Sequence, residues 1–159
     1  MSRRSPAVSR LGVQHFSHLG LCVSDLARSQ RFYCEGLGFS EALRLEFAGE
    51  PSATLLDLPG VDFAAVYLRR DGLLLELLHY SAPDATGDRT PRAMNALGLT
   101  HLSLRVSGVD AIVERVVALG GRALEHTRIE NPGLGAHAIF VLDPDGTRIE
   151  LFESARPLA

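Results

Sequence analysis

The chain has no tryptophan, only two cysteines and two methionines, and no excess of either charge: sixteen Lys plus Arg stand against nineteen Asp plus Glu. Each scarcity removes a class of explanation. Two cysteines, Cys22 and Cys34, are too few for a disulfide framework and match a reducing, cytoplasmic setting. A net charge of −3 leaves no basic footprint for nucleic acid or an anionic membrane surface. No apolar run approaches the roughly 18 residues that a spanning helix needs. The basic start MSRR is followed by no apolar stretch, so a secretory signal is not supported. With 46% hydrophobic and 22% charged residues over 159 positions, the expectation is a small soluble protein with one core or two modules sharing one.

What the chain does contain is an internal repeat. HLGLCVSDL at 18–26 returns as HLSLRVSGV at 101–109, and LRRDGLLLEL at 68–77 returns as LDPDGTRIEL at 142–151. Gly38 and Gly121 fall twenty residues after the leading His of each copy. The copies differ in length. His18 to Glu76 spans 58 positions and His101 to Glu150 spans 49, so the first copy carries nine additional residues.

Each copy reads as a strand, a helix and three further strands. In the first, a strand over 16–23 precedes the helix-capping pair Ser24 and Asp25, and a helix over 25–36 ends at Gly36 and Gly38. Strands are expected at 39–47, 62–69 and 73–80, with 48–61 as a loop insertion. In the second, Ile112, Val113, Val116 and Leu119 mark a helix, followed by strands at 122–128, 136–142 and 147–153. Tight turns at Arg70-Asp71-Gly72 and Pro144-Asp145-Gly146 join the last two strands of each copy. The resulting division is a flexible tail 1–13, a first βαβββ module 14–80, a linker 81–97, a second module 98–153 and a C-terminal tail 154–159.

Strand alternation sorts the polar residues. His18, Gly20 and Cys22 share one face of the first strand, opposite Leu19, Leu21 and Val23; His101, Ser103 and Arg105 repeat the arrangement. Glu76 lies within a run of leucines and Glu150 between Ile149 and Leu151. An ionised carboxylate there costs several kcal/mol unless it is paired or bound to a cation. Either residue type alone has an ordinary structural explanation, but neither explains why both recur together. Two curved sheets facing each other bring His18, Glu76, His101 and Glu150 together, a donor set suited to one divalent ion such as Fe, Mn, Co, Ni or Zn. His15, His79, His126 and His137 have no repeat partner and are read as ordinary polar residues. Cys22 and Cys34 are read as small apolar side chains.

HLGLCVSDL with RFYCEGLGF, the LELLHY strand, GLTHLSLRV and DPDGTRIELFE resemble the vicinal oxygen chelate superfamily. That superfamily includes glyoxalase I, methylmalonyl-CoA epimerase, extradiol dioxygenases and bleomycin- or fosfomycin-resistance proteins. The resemblance covers about 14–153 and implies an α+β fold. In that fold two paired βαβββ modules form a cupped, mostly antiparallel sheet around a metal, with the helices outside. It implies His18, Glu76, His101 and Glu150 as metal ligands. Bacterial glyoxalase I has an Arg four residues after the first His and an Asn four after the first Glu; here Cys22 and Tyr80 occupy those places. Ring-cleaving members carry a Tyr ten residues before the last Glu, where this chain has Phe140. Cys22, Tyr80 and Phe140 are the expected pocket-lining positions.

The reading is a metal-dependent lyase or isomerase/epimerase that moves a proton beside a carbonyl of a small substrate. Glu150 is the first candidate base and Glu76 the second. The alternatives are an iron-dependent extradiol-type dioxygenase using His18, His101 and Glu150, and an antibiotic-binding resistance protein. One module cannot enclose a site alone, so the cup comes either from both modules of one chain or from one module of each of two chains. The exposed edges and faces of the repeat point to a homodimer, with sites near or across its interface.

Overall fold

A computed structural model describes residues 12–133 and 135–154; the rest, with most of the segment read as an N-terminal tail and all but Ser154 of the C-terminal one, lies outside this description. The first copy folds as β1 (Leu19–Cys22), α1 (Leu26–Arg31), β2 (Ser40–Ala48), α2 (Ser52–Leu56), β3 (Asp62–Arg70) and β4 (Leu73–Ala82). Asp25 starts α1 from extended backbone, its carboxylate accepting from the Arg28 amide at 2.9 Å. The helix continues into one π turn, Phe32–Gly36. That turn carries two consecutive large rings, Phe32 and Tyr33, both fully buried.

The second copy gives β5 (Leu102–Arg105), α3 (Val109–Ala118), β6 (Arg122–Ala123), β7 (Ile129–Asn131), β8 (Ala136–Leu142) and β9 (Arg148–Ser154). Gly108, at φ 75°, has no side chain with which to cap α3. Glu153 of β9 does so instead, accepting from the amides of Gly108 at 3.0 Å and Val109 at 3.3 Å.

Two expectations are corrected. The continuous strand over 122–128 stops after two residues, because a 3₁₀ turn at Glu125–Thr127 intervenes. There the Thr127 hydroxyl donates to the Leu124 carbonyl and accepts from the Phe140 amide, taking the place of ladder bonds. The insertion 48–61 is no plain loop: it holds α2, which ends at Asp57 in the left-handed region.

The strands form two mixed sheets, ordered β1-β4-β3-β2 and β5-β9-β8-β6, with β7 also on β8. In each, the first strand runs parallel to the last, while the hairpins pair antiparallel. The sheets use their apolar faces in common. Val66, Leu68, Leu75 and Leu77 from one sheet and Ile139, Val141, Ile149 and Leu151 from the other belong to a single core. Phe32, Tyr33, Val113 and Val116 from the helical segments complete it. Each such side chain contributes about 1.5–3 kcal/mol by leaving water. The helical segments meet closely: Gly36 lies against Val116 and Leu119, and a Cβ on Gly121 would come within 2.6 Å of the Phe32 ring.

Polar contacts fasten the halves as well. Asp145, at the tip of the β8–β9 hairpin, accepts from the amide and hydroxyl of Ser24 and pairs with Arg28 at 3.0 Å. A second, smaller apolar cluster lies on the opposite face of the first sheet. Ala53 and Val61 from the insertion pack on Phe63 and Ala65, with Phe47, Leu58, Leu78 and Tyr80 around them.

Candidate metal centre

The duplicated His and Glu residues meet in pairs, one pair per sheet. His18 Nε2 lies 3.2 Å from Glu76 Oε2, and His101 Nε2 lies 3.7 Å from Glu150 Oε2. The strand registers explain both. β1 runs parallel to β4 with Gly20 opposite Glu76, and β5 runs parallel to β9 with Ser103 opposite Glu150. Each His stands two residues before that partner, at the N-terminal mouth of its strand, and reaches the same carboxylate.

The pairs do not converge within the chain. Among the described residues, no three His, Cys, Asp or Glu side chains gather closely enough to hold one ion. The reason is parity. Glu76 alternates with Leu75 and Leu77, and Glu150 with Ile149 and Leu151, and these four aliphatic residues share one core. The carboxylates therefore leave that core on opposite sides. The helices lie on the face of each sheet away from its His/Glu pair, as expected of the outside of a cup; in one chain those two outsides are packed against each other.

The surroundings of the pairs are related yet unequal. Tyr67 is the cross-strand partner of Glu76, and Phe140 that of Glu150. Each ring stands edge-on to the neighbouring imidazole, with centroids 5.5 Å apart for His18 and Tyr67 and 5.3 Å for His101 and Phe140. Burial, and then the Glu76 carboxylate that it hydrogen-bonds, push the Tyr67 phenol up to about 12. Glu76 is 9% exposed and held by His18 and Tyr67. Glu150 is more open; its Oε2 accepts from the Ser103 hydroxyl at 2.6 Å.

Of the three pocket positions, Phe140 stands against His101 as described. Cys22 and Tyr80 share the His18 face; burial and then Cys22 and Glu76 raise the Tyr80 phenol. Burial and the Asp145 carboxylate raise the Cys22 thiol, which opposes a nucleophilic role. Cys22 also borders a cavity of about 300 Å³ with Ser24, Arg89 and Asp145. A larger cavity, about 420 Å³, lies between Glu130–Pro132 and Glu153–Ser154, away from both pairs.

Sequence reasoning missed Tyr67 and the Ser103 contact. Tyr67 stands nine residues before Glu76 as Phe140 stands ten before Glu150, the hairpins differing by one residue. Aligning the copies through the turns would have found it.

Comparison with known proteins agrees with this architecture. Residues 15–151 match the family model of the glyoxalase/bleomycin resistance protein/dioxygenase superfamily. YaeR of Escherichia coli K12 is 29% identical over 143 residues, covering 90% of this chain and 98% of that one. A glyoxalase family protein from Bacillus cereus superposes with a TM-score of 0.80 at 18% identity, over 93% of this chain and 99% of the other. A mutant of the fosfomycin resistance protein FosX from Listeria monocytogenes, complexed with Mn(II) and 1S,2S-dihydroxypropylphosphonic acid, gives 0.58 at 22% identity, over 92% and 95%. With two sheets of this topology and a family match across nearly the whole described chain, the protein belongs to the glyoxalase/bleomycin resistance protein/dioxygenase superfamily.

Proposed function

We propose that this chain is a metal-dependent enzyme whose sites form between two copies. Each site takes His18 and Glu76 from one chain and His101 and Glu150 from the other. The observation that carries the reading is the His–Glu pair repeated on two opposed faces. Within each pair, the 3.2 and 3.7 Å separations suit neighbouring donors on one ion, which lie roughly 3 Å apart when each bond is about 2.1 Å. Two donors are too few for a protein-held ion of the Fe to Zn series, and four leave open positions for substrate. Phe16 and Leu99, each two residues before a site histidine, are 72% and 75% exposed. Apolar residues flanking both half-sites favour cover by a second chain. FosX, which shares the fold, has been captured with Mn(II), which supports a divalent metal here.

A divalent cation held by these residues supplies Lewis acidity to a substrate oxygen. Glu150, the more open carboxylate, takes the proton beside the substrate carbonyl, with Ser103 orienting it. Glu76, fixed by Tyr67 and His18, is the second carboxylate and returns a proton from the other side. That division suits a lyase, isomerase or epimerase. Extradiol ring cleavage has less support, because Phe140 carries no hydroxyl beside His101. Sequestration of an antibiotic without turnover leaves the two carboxylates without a task.

Mixing His18→Ala and Glu150→Ala chains tests the arrangement. Neither variant alone retains tightly bound metal. In mixed dimers one site unites the intact first half of one chain with the intact second half of the other. Metal regained on mixing supports the shared site; metal absent from demonstrably mixed dimers overturns it.

A further inference from the structure

The two faces that carry the His/Glu pairs differ in character, and the difference points to a substrate class. On the first sheet, β1, β4, β3 and β2 present Cys22, Leu78, Tyr80, Phe63, Ala65 and Phe47 on the face of His18 and Glu76, where strand alternation also places Arg69, two residues after Tyr67 on β3. Phe63 stacks on Phe47 at 5.0 Å and lies 5.4 Å from Tyr80. The nine additional residues of the first copy belong to the segment that packs over part of this aromatic group, through Ala53, Leu58 and Val61. The corresponding segment of the second copy holds the 3₁₀ turn and β7 instead.

On the second sheet two arginines stand beside the aromatic neighbours Phe140 and Phe152. Arg148 lies two residues before Glu150 on β9, and Arg105 lies two residues after Ser103 on β5, so both share the face of the His101 pair. The Arg148 guanidinium stands 5.7 Å from the Phe140 ring centroid, and that ring is the one edge-on to His101. Neither arginine forms an ion pair among the described residues. Arg148 donates to the Met94 sulfur and Arg105 to the Ser154 carbonyl, so their charge is unmatched. A guanidinium stacked on a ring and lacking a carboxylate is a receptor for an incoming anion.

We infer that the substrate is a small organic anion carrying an aromatic or similarly bulky apolar group. Arg148 receives the anionic head, and Phe47 and Tyr80, the half-buried members of the group around the buried Phe63, receive the apolar part. The inference rests on the shared site proposed above, because the two walls face one another only across two chains.

Calorimetric titration with three probes tests it: mandelate (aryl and anionic), lactate (anionic without aryl) and 1-phenylethane-1,2-diol (aryl without charge). The native dimer should bind mandelate at least about tenfold more tightly than either, as expected for one charge-assisted contact and one buried ring. Arg148→Met should weaken mandelate by about tenfold and leave the diol nearly unchanged, with Arg148→Lys in between. Tyr80→Ala should narrow the mandelate-to-lactate ratio. Equal binding of mandelate and lactate, or an Arg148→Met variant that keeps native mandelate affinity or loses the diol equally, overturns the inference. Metal content is measured on every sample, and the titrations are repeated on metal-free dimer. A native protein that holds no metal defeats the metal reading alone; the affinity ratios decide this inference by themselves.

Discussion

The Tyr33 hydroxyl donates a 2.8 Å hydrogen bond to Asp143 Oδ2, joining side chains 110 residues apart inside the core between the two halves. Asp143 also accepts from the amides of Asp145 and Thr147, which shape the β8–β9 turn. One carboxylate thus ties the turn of the second copy to the helical segment of the first. Tyr33→Phe removes a donor from a buried acceptor and should cost about 1–3 kcal/mol in urea denaturation. The pH dependence follows from burial, which raises Asp143 above its ordinary value while the Tyr33 bond opposes that rise. A carboxylate raised on folding lowers stability as pH climbs from its unfolded to its folded value. Loss of Tyr33 extends that interval upward, so the variant's deficit should be larger at pH 7 than at pH 4.

Glu153 is lowered by the Gly108 and Val109 amides that it accepts from. Its contribution is present above the ordinary carboxylate range and fades as pH falls through the lower folded value. Glu153→Gln should lower Tm near neutral pH, and the gap from the native protein should close in acid. A gap that persists unchanged to pH 3 would show that the charge is irrelevant to the cap.

Gly121 has no room for a side chain. A Cβ there would meet the Phe32 ring at 2.6 Å, the Leu142 carbonyl at 2.8 Å and the Val116 carbonyl at 2.9 Å. Gly121→Ala should destabilise by about 2 kcal/mol or more, because two of the three obstacles are backbone. Chemical denaturation of a purified variant measures it.

Glutathione should be a poor ligand. Cys22 and Tyr80 supply neither the cation nor the amide expected at those places in bacterial glyoxalase I, and Cys22 has Asp145 as a charged neighbour. An assay with the hemithioacetal of methylglyoxal and glutathione should show little saturable turnover. Efficient catalysis would contradict the assignment of that wall.

Metal analysis of freshly purified protein should find about one ion per four-residue set. His18→Ala and His101→Ala should each reduce it sharply, although the two residues lie on opposite sides of one chain. Unchanged affinity in either variant would remove that residue from the ligand set.

The pairing of His18 with Glu76 and of His101 with Glu150 was legible because the repeat marks all four and strand parity places each on a face. The opposition of those faces was not. Alternation tells which side of a strand is apolar, but not which other apolar surface will cover it; that choice was made by Phe32, Tyr33 and Val116 fitting one another. The insertion hid α2 because Leu55 and Leu56 are exposed and form no helical stripe. The break after Ala123 depends on Thr127 bonding to Leu124 and Phe140, which strand propensity does not register.

The common core also determines how the chain can come apart. Although the sequence is written twice, neither writing owns a complete interior: Leu75 and Leu77 need the same helical layer as Ile149 and Leu151. The two copies should therefore melt together in calorimetry, as one cooperative transition rather than two. Separated fragments, 12–90 and 91–154, would each be left with half an interior. Expressed apart, they should be poorly folded; expressed together, they should find one another and rebuild it. In this sense the duplication produced a single folding unit with an inherited seam.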